Sequence, residues 1–209
     1  EPDWKGFYDQ RKRLVLDRFT SKRYCHHAVA VSHHAKESAV RFLGFNKERA
    51  TVIHNTVDTA LFKTPNPDDR NTSLTLLGVS PNEFAIVSAA RFVPQKGFHI
   101  AVMAMPSLLR QVPGARLFLA GGGEEEPRLR SLCRELKLDS CVQFLGVRND
   151  IHQLFQRADS FVFTSLASEG FPLVPLEAMA LNVPVVASRI EPMREMINHG
   201  ESGLSLIHI

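Results

Sequence analysis

The chain has 209 residues, 44% of them hydrophobic and 22% charged, which is enough for one complete domain and part of a second. A formal net charge of only +3, without a long run of lysines and arginines, argues against a nucleic-acid-binding protein. No stretch approaches the roughly 18 apolar residues of a membrane span. The three cysteines lack C-x-x-C spacing, which indicates reduced buried thiols and a cytoplasmic protein.

The first part of the chain contains a short strand–helix–strand pattern followed by a linker. Apolar, β-favouring residues predict strands at 28–32 and 50–53, and apolar residues at helical spacing predict a helix over 34–43. Residues 63–73 are rich in Pro, Asp and Asn and predict the linker. The chain starts without Met and stops abruptly, so we expect both ends to be cuts in a longer sequence.

The second part of the chain alternates strictly between strands and helices. This alternation, with strands that are apolar on both faces, predicts a doubly wound parallel sheet covered by helices on both sides. Such sheets bind ligands at the carboxyl ends of their strands. The predicted strands are 85–89, 115–120, 142–145, 160–163, 183–187 and 204–207, and the helices are 98–111, 128–136, 151–157, 175–180 and 193–198.

Two permanent cations follow the first of these strands. Arg91 and Lys96 lie directly before a predicted helix, whose first N–H groups are free. Cations combined with free backbone N–H groups are what a pyrophosphate requires. The alternative is that both are ordinary solvated surface charges.

A glycine-rich turn, Gly121-Gly122-Gly123, follows the second strand. It starts like a dinucleotide fingerprint, but Glu126 occupies the third glycine position and breaks the G-x-G-x-x-G pattern. The departure argues against a dinucleotide-dependent oxidoreductase. The turn either admits a ligand close to its backbone or is a plain tight turn.

Two glutamates with seven residues between them follow the strand at 160–163. Glu169 lies in the loop, and Glu177 is predicted in the first turn of a helix that starts with Pro175. A glutamate at position 177 could be present only because the helix dipole stabilises a negative charge in the first turn. Its neighbours are apolar, however, and a carboxylate in an apolar helix is usually paired or bound to a ligand such as a sugar hydroxyl. The backbone amides expected to face the same opening are those of Gly170, Phe171, Leu173 and Val174.

The segment from Glu169 to Glu177 resembles the E-x7-E motif of retaining glycosyltransferases of the family-4 type. Arg91 with Lys96-Gly97 is similar to the phosphate-binding pair of that family, and residues 52–58 resemble the end of its acceptor domain. The sequence departs from the family pattern at Thr56, at Asn182 and in the segment 190–193, where glycines are usual.

The resemblance implies a GT-B fold with Rossmann-like domains. Residues 1–70 would be the C-terminal remnant of the N-terminal acceptor domain plus the linker, and residues 71–209 the nucleotide-sugar-binding domain, truncated at its end. Because the active site of this fold lies between two domains, the 209-residue chain alone is expected to be inactive.

The resemblance also implies transfer of a sugar, with retention, from a nucleoside-diphosphate sugar that we expect to be UDP-linked. Arg91 and Lys96 would neutralise the departing diphosphate, which can replace a metal ion. Glu169 would hold the transferred sugar and Glu177 the ribose. The expected catalytic residues are thus Arg91, Lys96 and Glu169, and the remaining donor-binding residues are Gly121, Gly170, Phe171, Leu173, Val174 and Glu177.

No cofactor and no metal are expected. The pairs His26-His27 and His33-His34 flank a strand that separates them by about 20 Å. The expected partners are the nucleotide sugar and an acceptor that is a glycan, a lipid or a small molecule, in polysaccharide or glycoconjugate biosynthesis. Peripheral association with a membrane stays open.

Two alternative functions also stay open. One is an epimerase-like GT-B relative that acts on a nucleotide sugar, and the Glu-Gly-Phe-Pro form of the motif favours transfer over it. The other is a nucleotide-sugar-binding module without catalysis, because the first strands of the acceptor domain, where acceptor-facing groups lie, are not in this sequence.

Overall fold

The computed structural model describes residues 15–60, 62, 78–80, 82–166 and 169–206. The chain divides into two compact units, residues 1–55 and 56–209. The predicted linker at 63–73 lies outside the described residues. Among the described residues, no helix has the length and apolar character required to cross a bilayer.

The first unit contains a small parallel β-α-β arrangement. Ser32 starts its central helix, because the Ser32 Oγ accepts a hydrogen bond from the Ala35 N–H at 3.0 Å. A π-helical stretch, Ala39–Leu43, continues the helix until Gly44 adopts a left-handed conformation. The predicted strand–helix–strand order is confirmed. The elements are α1 (15–24), β1 (Ala28–Ala30), α2 (His33–Ser38) and β2 (Ala50–Val52), with β1 and β2 paired in parallel.

The second unit is built on a six-stranded, wholly parallel sheet with the strand order β5-β4-β3-β6-β7-β8. The predicted alternation of strands and helices is confirmed. In chain order, the elements are β3 (Phe84–Ala89), α3 (Phe98–Leu109), β4 (Ala115–Ala120), α4 (Glu126–Glu135), β5 (Val142–Gly146), α5 (Ile151–Arg157), β6 (Ser160–Phe163), α6 (Leu173–Ala180), β7 (Val185–Ser188), α7 (Met193–Met196) and β8 (Leu204–Leu206).

Two separate cores cover the two faces of this sheet. Helices α3 and α4 pack on one face, where Met105 and Leu129 meet Leu117 of β4. Helices α5, α6 and α7 pack on the other face, where Phe155 and the next residue of β4, Phe118, belong to the same cluster. Consecutive residues of β4 therefore point into different cores, which explains why the strand is apolar without alternation.

Helix α6 starts earlier than the sequence predicts. We predicted Pro175 at its first position, but the helix begins at Leu173, with Pro172 as the N-cap. Pro175 is accommodated because N–H groups of the first turn have no intrahelical partner. Glu177 is consequently the fifth helical residue and not part of the first turn, so the helix dipole accounts for it less well. The predicted left-handed residue after the helix is confirmed, since the φ of Asn182 is 58°.

The three cysteines are all free, and only Cys133 is fully buried. Burial raises the pKa of the Cys133 thiol to about 11, so this thiol is protonated at neutral pH. Cys25 and Cys141 are partly buried, whereas we had predicted buried thiols throughout.

A buried ion pair fixes the amino ends of the two central strands. The Arg157 side chain is only 4% exposed, and its Nη1 lies 2.8 Å from the Asp159 Oδ2. The same carboxylate oxygen accepts the Ala85 N–H at 2.8 Å, at the start of β3, and Arg157 also donates to the Glu83 carbonyl at 2.9 Å. The pair joins the start of β3 to the start of β6, at the end of the sheet away from the loops described next.

Candidate functional site

The strand order creates a crevice between β3 and β6. The chain proceeds from β3 towards β4 and β5 on one side, and from β6 towards β7 and β8 on the other. The loops that leave the carboxyl ends of β3 and β6 therefore diverge, and the gap between them is the usual ligand site of such sheets. The structure places Arg91 and Lys96 in the first of these loops and Glu169 in the second.

Lys96 and Glu169 meet across this crevice. The Lys96 Nζ lies 2.7 Å from the Glu169 Oε1, and both side chains are mostly shielded, with exposures of 15% and 19%. The ammonium group also lies 5.7 Å from the centre of the Phe163 ring, within the range of a cation–π contact. Residues that are 73 positions apart in the sequence thus form one charged pair.

Hydrogen bonds to backbone carbonyls tie the two loops together. A 3-10 turn, Pro94–Lys96, precedes α3. The Thr164 hydroxyl donates to the Lys96 carbonyl at 3.0 Å, and the Leu166 N–H donates to the Gln95 carbonyl at 2.8 Å. The loop with the cation and the loop with the carboxylate are therefore held as one hydrogen-bonded block.

Arg91 differs from Lys96 in being exposed, and it lines a small cavity at the carboxyl ends of β3 and β4. The cavity measures about 220 Å³. Its wall is largely apolar and includes Gly121, Val147, Arg148, Ile151 and Val174. Two residues of the predicted donor site besides Arg91, namely Gly121 and Val174, lie in this wall.

Gly121 allows two chain segments to approach closely. Its φ is 143°, and a Cβ on this residue would overlap the Ala90 carbonyl oxygen. Its N–H donates to the Gly146 carbonyl at 2.7 Å. Because Gly121 has no Cβ, the ends of β3, β4 and β5 can lie close together beside the cavity.

Sequence reasoning missed Val147, Arg148 and Ile151. Val147 and Arg148 lie in the loop after β5, and Ile151 is the first residue of α5. Their position after a predicted strand is the only signal that connects them with the site. Arg148 is oriented by Asp150, whose Oδ1 accepts a hydrogen bond from the Arg148 Nε at 2.7 Å. The same contact lowers the pKa of Asp150, so Asp150 is ionised at neutral pH.

Glu177 is half-buried on α6 and has no hydrogen bond or ion pair with any residue the structure describes. Burial raises the pKa of its carboxyl group. Val174 of the cavity wall precedes it by three residues, which places both side chains on the same side of the helix. The carboxylate is therefore one helical turn from the cavity.

The remaining predicted residues surround the start of α6. Gly170 is exposed, Phe171 is 7% exposed, and Leu173 is the first residue of the helix and is 46% exposed. The structure thus brings Lys96 and Glu169 into contact and places Arg91, Gly121 and Val174 around one cavity. Glu177 stands one turn further along α6.

Comparison with known protein families identifies the chain. Residues 69–207 match the model of the family described as "Glycosyl transferases group 1". The chain is a member of this glycosyltransferase family.

Curated relatives of this chain include two prokaryotic proteins. An uncharacterized glycosyltransferase of Methanocaldococcus jannaschii is 30% identical over 95% of this chain and 52% of the relative. The N-acetyl-alpha-D-glucosaminyl L-malate synthase of Bacillus anthracis is 29% identical over 84% of this chain and 44% of that protein. The chain thus spans about half the length of these curated relatives.

Solved structures confirm the predicted GT-B fold of this chain. Anabaena HepE, crystallised with UDP-glucose, is 30% identical, with a TM-score of 0.84 over 94% of this chain and 54% of HepE. A second HepE structure, with UDP and glucose, matches with a TM-score of 0.84 and 29% identity over 94% of this chain and 53% of HepE.

Proposed function

We propose that the protein containing this chain transfers a sugar from a UDP-linked donor to an acceptor, with retention of the anomeric configuration and without a metal ion. Membership of the glycosyltransferase family supports the transfer reaction, and the HepE complex with UDP-glucose supports the donor class. The E-x7-E spacing of Glu169 and Glu177 supports retention. All residues assigned below lie in the second unit.

The contact between Lys96 and Glu169 carries this proposal. In a nucleoside-diphosphate sugar, one oxygen atom links the distal phosphate to the sugar. The groups that hold the phosphate and the sugar must therefore lie side by side. Lys96 and Glu169 meet this requirement, with 2.7 Å between their charged atoms at the crevice.

The cations replace a metal in this assignment. When the bond between the sugar and the diphosphate breaks, negative charge grows on the departing phosphate oxygens. Lys96 stabilises this charge in a largely shielded position, and Arg91 adds a second permanent charge at the edge of the cavity. The free N–H groups at the start of α3 contribute further donors, because no side chain caps that helix.

The cavity and Glu177 accept the nucleoside. The flat uracil ring fits a small apolar space, and Val147, Ile151 and Val174 provide apolar walls. The ribose lies between the base and the diphosphate, and the Glu177 carboxylate, one helical turn from Val174, accepts hydrogen bonds from its two hydroxyls. This bond pair would satisfy a carboxylate that has no partner among the described residues.

The test uses the full-length protein with UDP-glucose, UDP-galactose and UDP-N-acetylglucosamine in the presence of EDTA. We expect UDP release to accelerate when an acceptor is supplied, and NMR of the product to show the donor's anomeric configuration. Product with the opposite configuration would exclude retention. Interconversion of the donor sugars without acceptor would indicate an epimerase, and binding without turnover would indicate a binding module.

A further inference from the structure

Ser165 connects the two loops of the site. It follows β6 by two residues, and its side chain is completely buried. Its Oγ lies 2.6 Å from the Glu169 Oε1 and 3.1 Å from the Gln95 carbonyl oxygen. A hydroxyl carries a single proton, so only one of these two acceptors can receive it at a time.

The Ser165 hydroxyl donates its hydrogen bond to Glu169. A carboxylate is a stronger acceptor than a backbone carbonyl, and a distance of 2.6 Å is typical of a charge-assisted O–H···O⁻ bond. The Gln95 carbonyl already accepts the Leu166 N–H at 2.8 Å, so it does not depend on the hydroxyl. Ser165 therefore acts as a donor to the carboxylate.

Both donors to Glu169 converge on the same oxygen. The Lys96 Nζ and the Ser165 Oγ contact Oε1, at 2.7 and 2.6 Å. Oε2 has no hydrogen bond with any residue in the described part of the chain. The carboxylate is thus fixed through one oxygen, while the other is available to a ligand.

We propose that Ser165 is a positioning residue that keeps Glu169 aimed at the transferred sugar after Lys96 engages the diphosphate. The inference rests on the proposed function. When the donor binds, its phosphate competes with Glu169 for the Lys96 ammonium group. Ser165 is neutral and is not attracted to the phosphate by charge, so its hydrogen bond to Oε1 persists. Oε2 then keeps its direction towards a sugar hydroxyl.

A double-mutant cycle tests this role in the full-length protein. The variants are Ser165→Ala, Glu169→Ala and the combination of both. The rate is UDP release from whichever of UDP-glucose, UDP-galactose and UDP-N-acetylglucosamine reacts fastest. Ser188→Ala is the matched control, because Ser188 is also a buried serine, at the end of the neighbouring strand β7, and its hydroxyl donates to the Phe163 carbonyl at 3.2 Å. Ser165→Cys, which retains a weak donor, replaces Ser165→Ala if the latter does not fold.

We expect Ser165→Ala to lower kcat roughly 10-fold and to change the Kd for UDP less than about twofold. In the Glu169→Ala background the same substitution should have almost no effect on kcat, because the carboxylate that Ser165 orients is absent. Ser188→Ala should leave kcat near the parent value. An equal loss of kcat from Ser165→Ala in both backgrounds would overturn the positioning role. A Glu169→Ala variant with parent activity, or no UDP release from any of the three donors, would instead refute the proposed function itself.

Discussion

Gly97 and Thr164 are in direct backbone contact where the two loops of the crevice meet. Gly97 has a φ of 62°, and a Cβ on it would overlap the Thr164 carbonyl oxygen. We expect Gly97→Ala to push the Lys96 loop away from the Glu169 loop. The protein should then lose more than the roughly 1–2 kcal/mol that a left-handed alanine costs by itself, and its affinity for UDP should fall.

Gly78→Ala provides the control for this substitution. Gly78 has nearly the same φ, 59°, but no atom of the described residues lies within 4 Å of the position of its Cβ. Denaturant unfolding and calorimetric titration with UDP compare the two variants. Equal stability losses, with unchanged UDP affinity for both, would show that the close contact at Gly97 is not needed for the site.

Glu177→Gln should stabilise the fold and weaken nucleotide binding. Burial raises the folded-state pKa of Glu177 above its unfolded value, so ionisation of this group opposes folding. Its favourable contribution is complete below the unfolded pKa and disappears as the pH rises through the folded pKa. At pH 7 the variant should therefore unfold at a higher temperature than the parent, and its stability should fall less between pH 4 and pH 7.

The affinity of the same variant for UDP should drop about 10-fold, because charge-assisted hydrogen bonds to the ribose are lost. Melting temperature and UDP affinity measured on one Glu177→Gln sample separate binding from a purely structural role. A lower melting temperature with unaltered UDP affinity would remove Glu177 from the donor site.

Glu169→Ala should have opposite effects on UDP affinity and on transfer. The substitution removes the carboxylate that competes with a phosphate for Lys96, so we expect UDP to bind several-fold more tightly. The rate of sugar transfer by the full-length protein should fall, because a contact to the reacting sugar is lost. Glu135→Ala, on the exposed side of α4, is the control and should change neither quantity. Weaker UDP binding by Glu169→Ala would contradict this assignment.

Arg91→Ala should weaken UDP binding about 10-fold and leave the fold intact, because the side chain is exposed and supplies charge to the ligand. EDTA should not alter the affinity of the parent protein. Arg128→Ala is the matched control, since Arg128 is 74% exposed on α4 and pairs only with Glu125 at 3.4 Å among the described residues. UDP binding that requires Mg²⁺ or Mn²⁺ would show that the two cations do not replace a metal.

Asp159→Asn should destabilise the protein by about 3 kcal/mol and leave UDP affinity unchanged. The substitution leaves the buried Arg157 guanidinium without its opposite charge. Glu126→Gln is the control, because it breaks an exposed pair with Arg130 and should cost less than about 1 kcal/mol. Urea unfolding gives the free energy of unfolding of both variants. Similar losses for the two would mean that the buried pair stabilises the sheet no more than an exposed pair does.

Most of the fold could be predicted from hydrophobic patterning alone. The predicted bounds of β4, α5 and β6 agree with the structure, because these segments are short and flanked by clear breaks. The start of α6 was wrong by two residues, since proline is tolerated anywhere in the first turn and its position does not fix the helix start.

The site could be predicted only in part. Arg91, Lys96 and Glu169 follow strands, which predicts that they lie at the carboxyl edge of the sheet, where the structure places them. The contact between Lys96 and Glu169 depends on β3 lying beside β6, and a strand order is not readable from periodicity. No local pattern assigns Val147 and Ile151 to the cavity or Ser165 to Glu169, because these contacts are formed with residues distant in the sequence.

The ion pair between Lys96 and Glu169 has a consequence for selectivity among anions. An inorganic phosphate that approaches Lys96 has to displace a carboxylate and leaves that carboxylate without its cation. A sugar donor brings hydroxyl groups that occupy Glu169 at the moment its phosphate takes Lys96. On the proposed assignment, Glu169 therefore competes with every anion for Lys96, and only an intact donor offsets this competition with its own sugar hydroxyls.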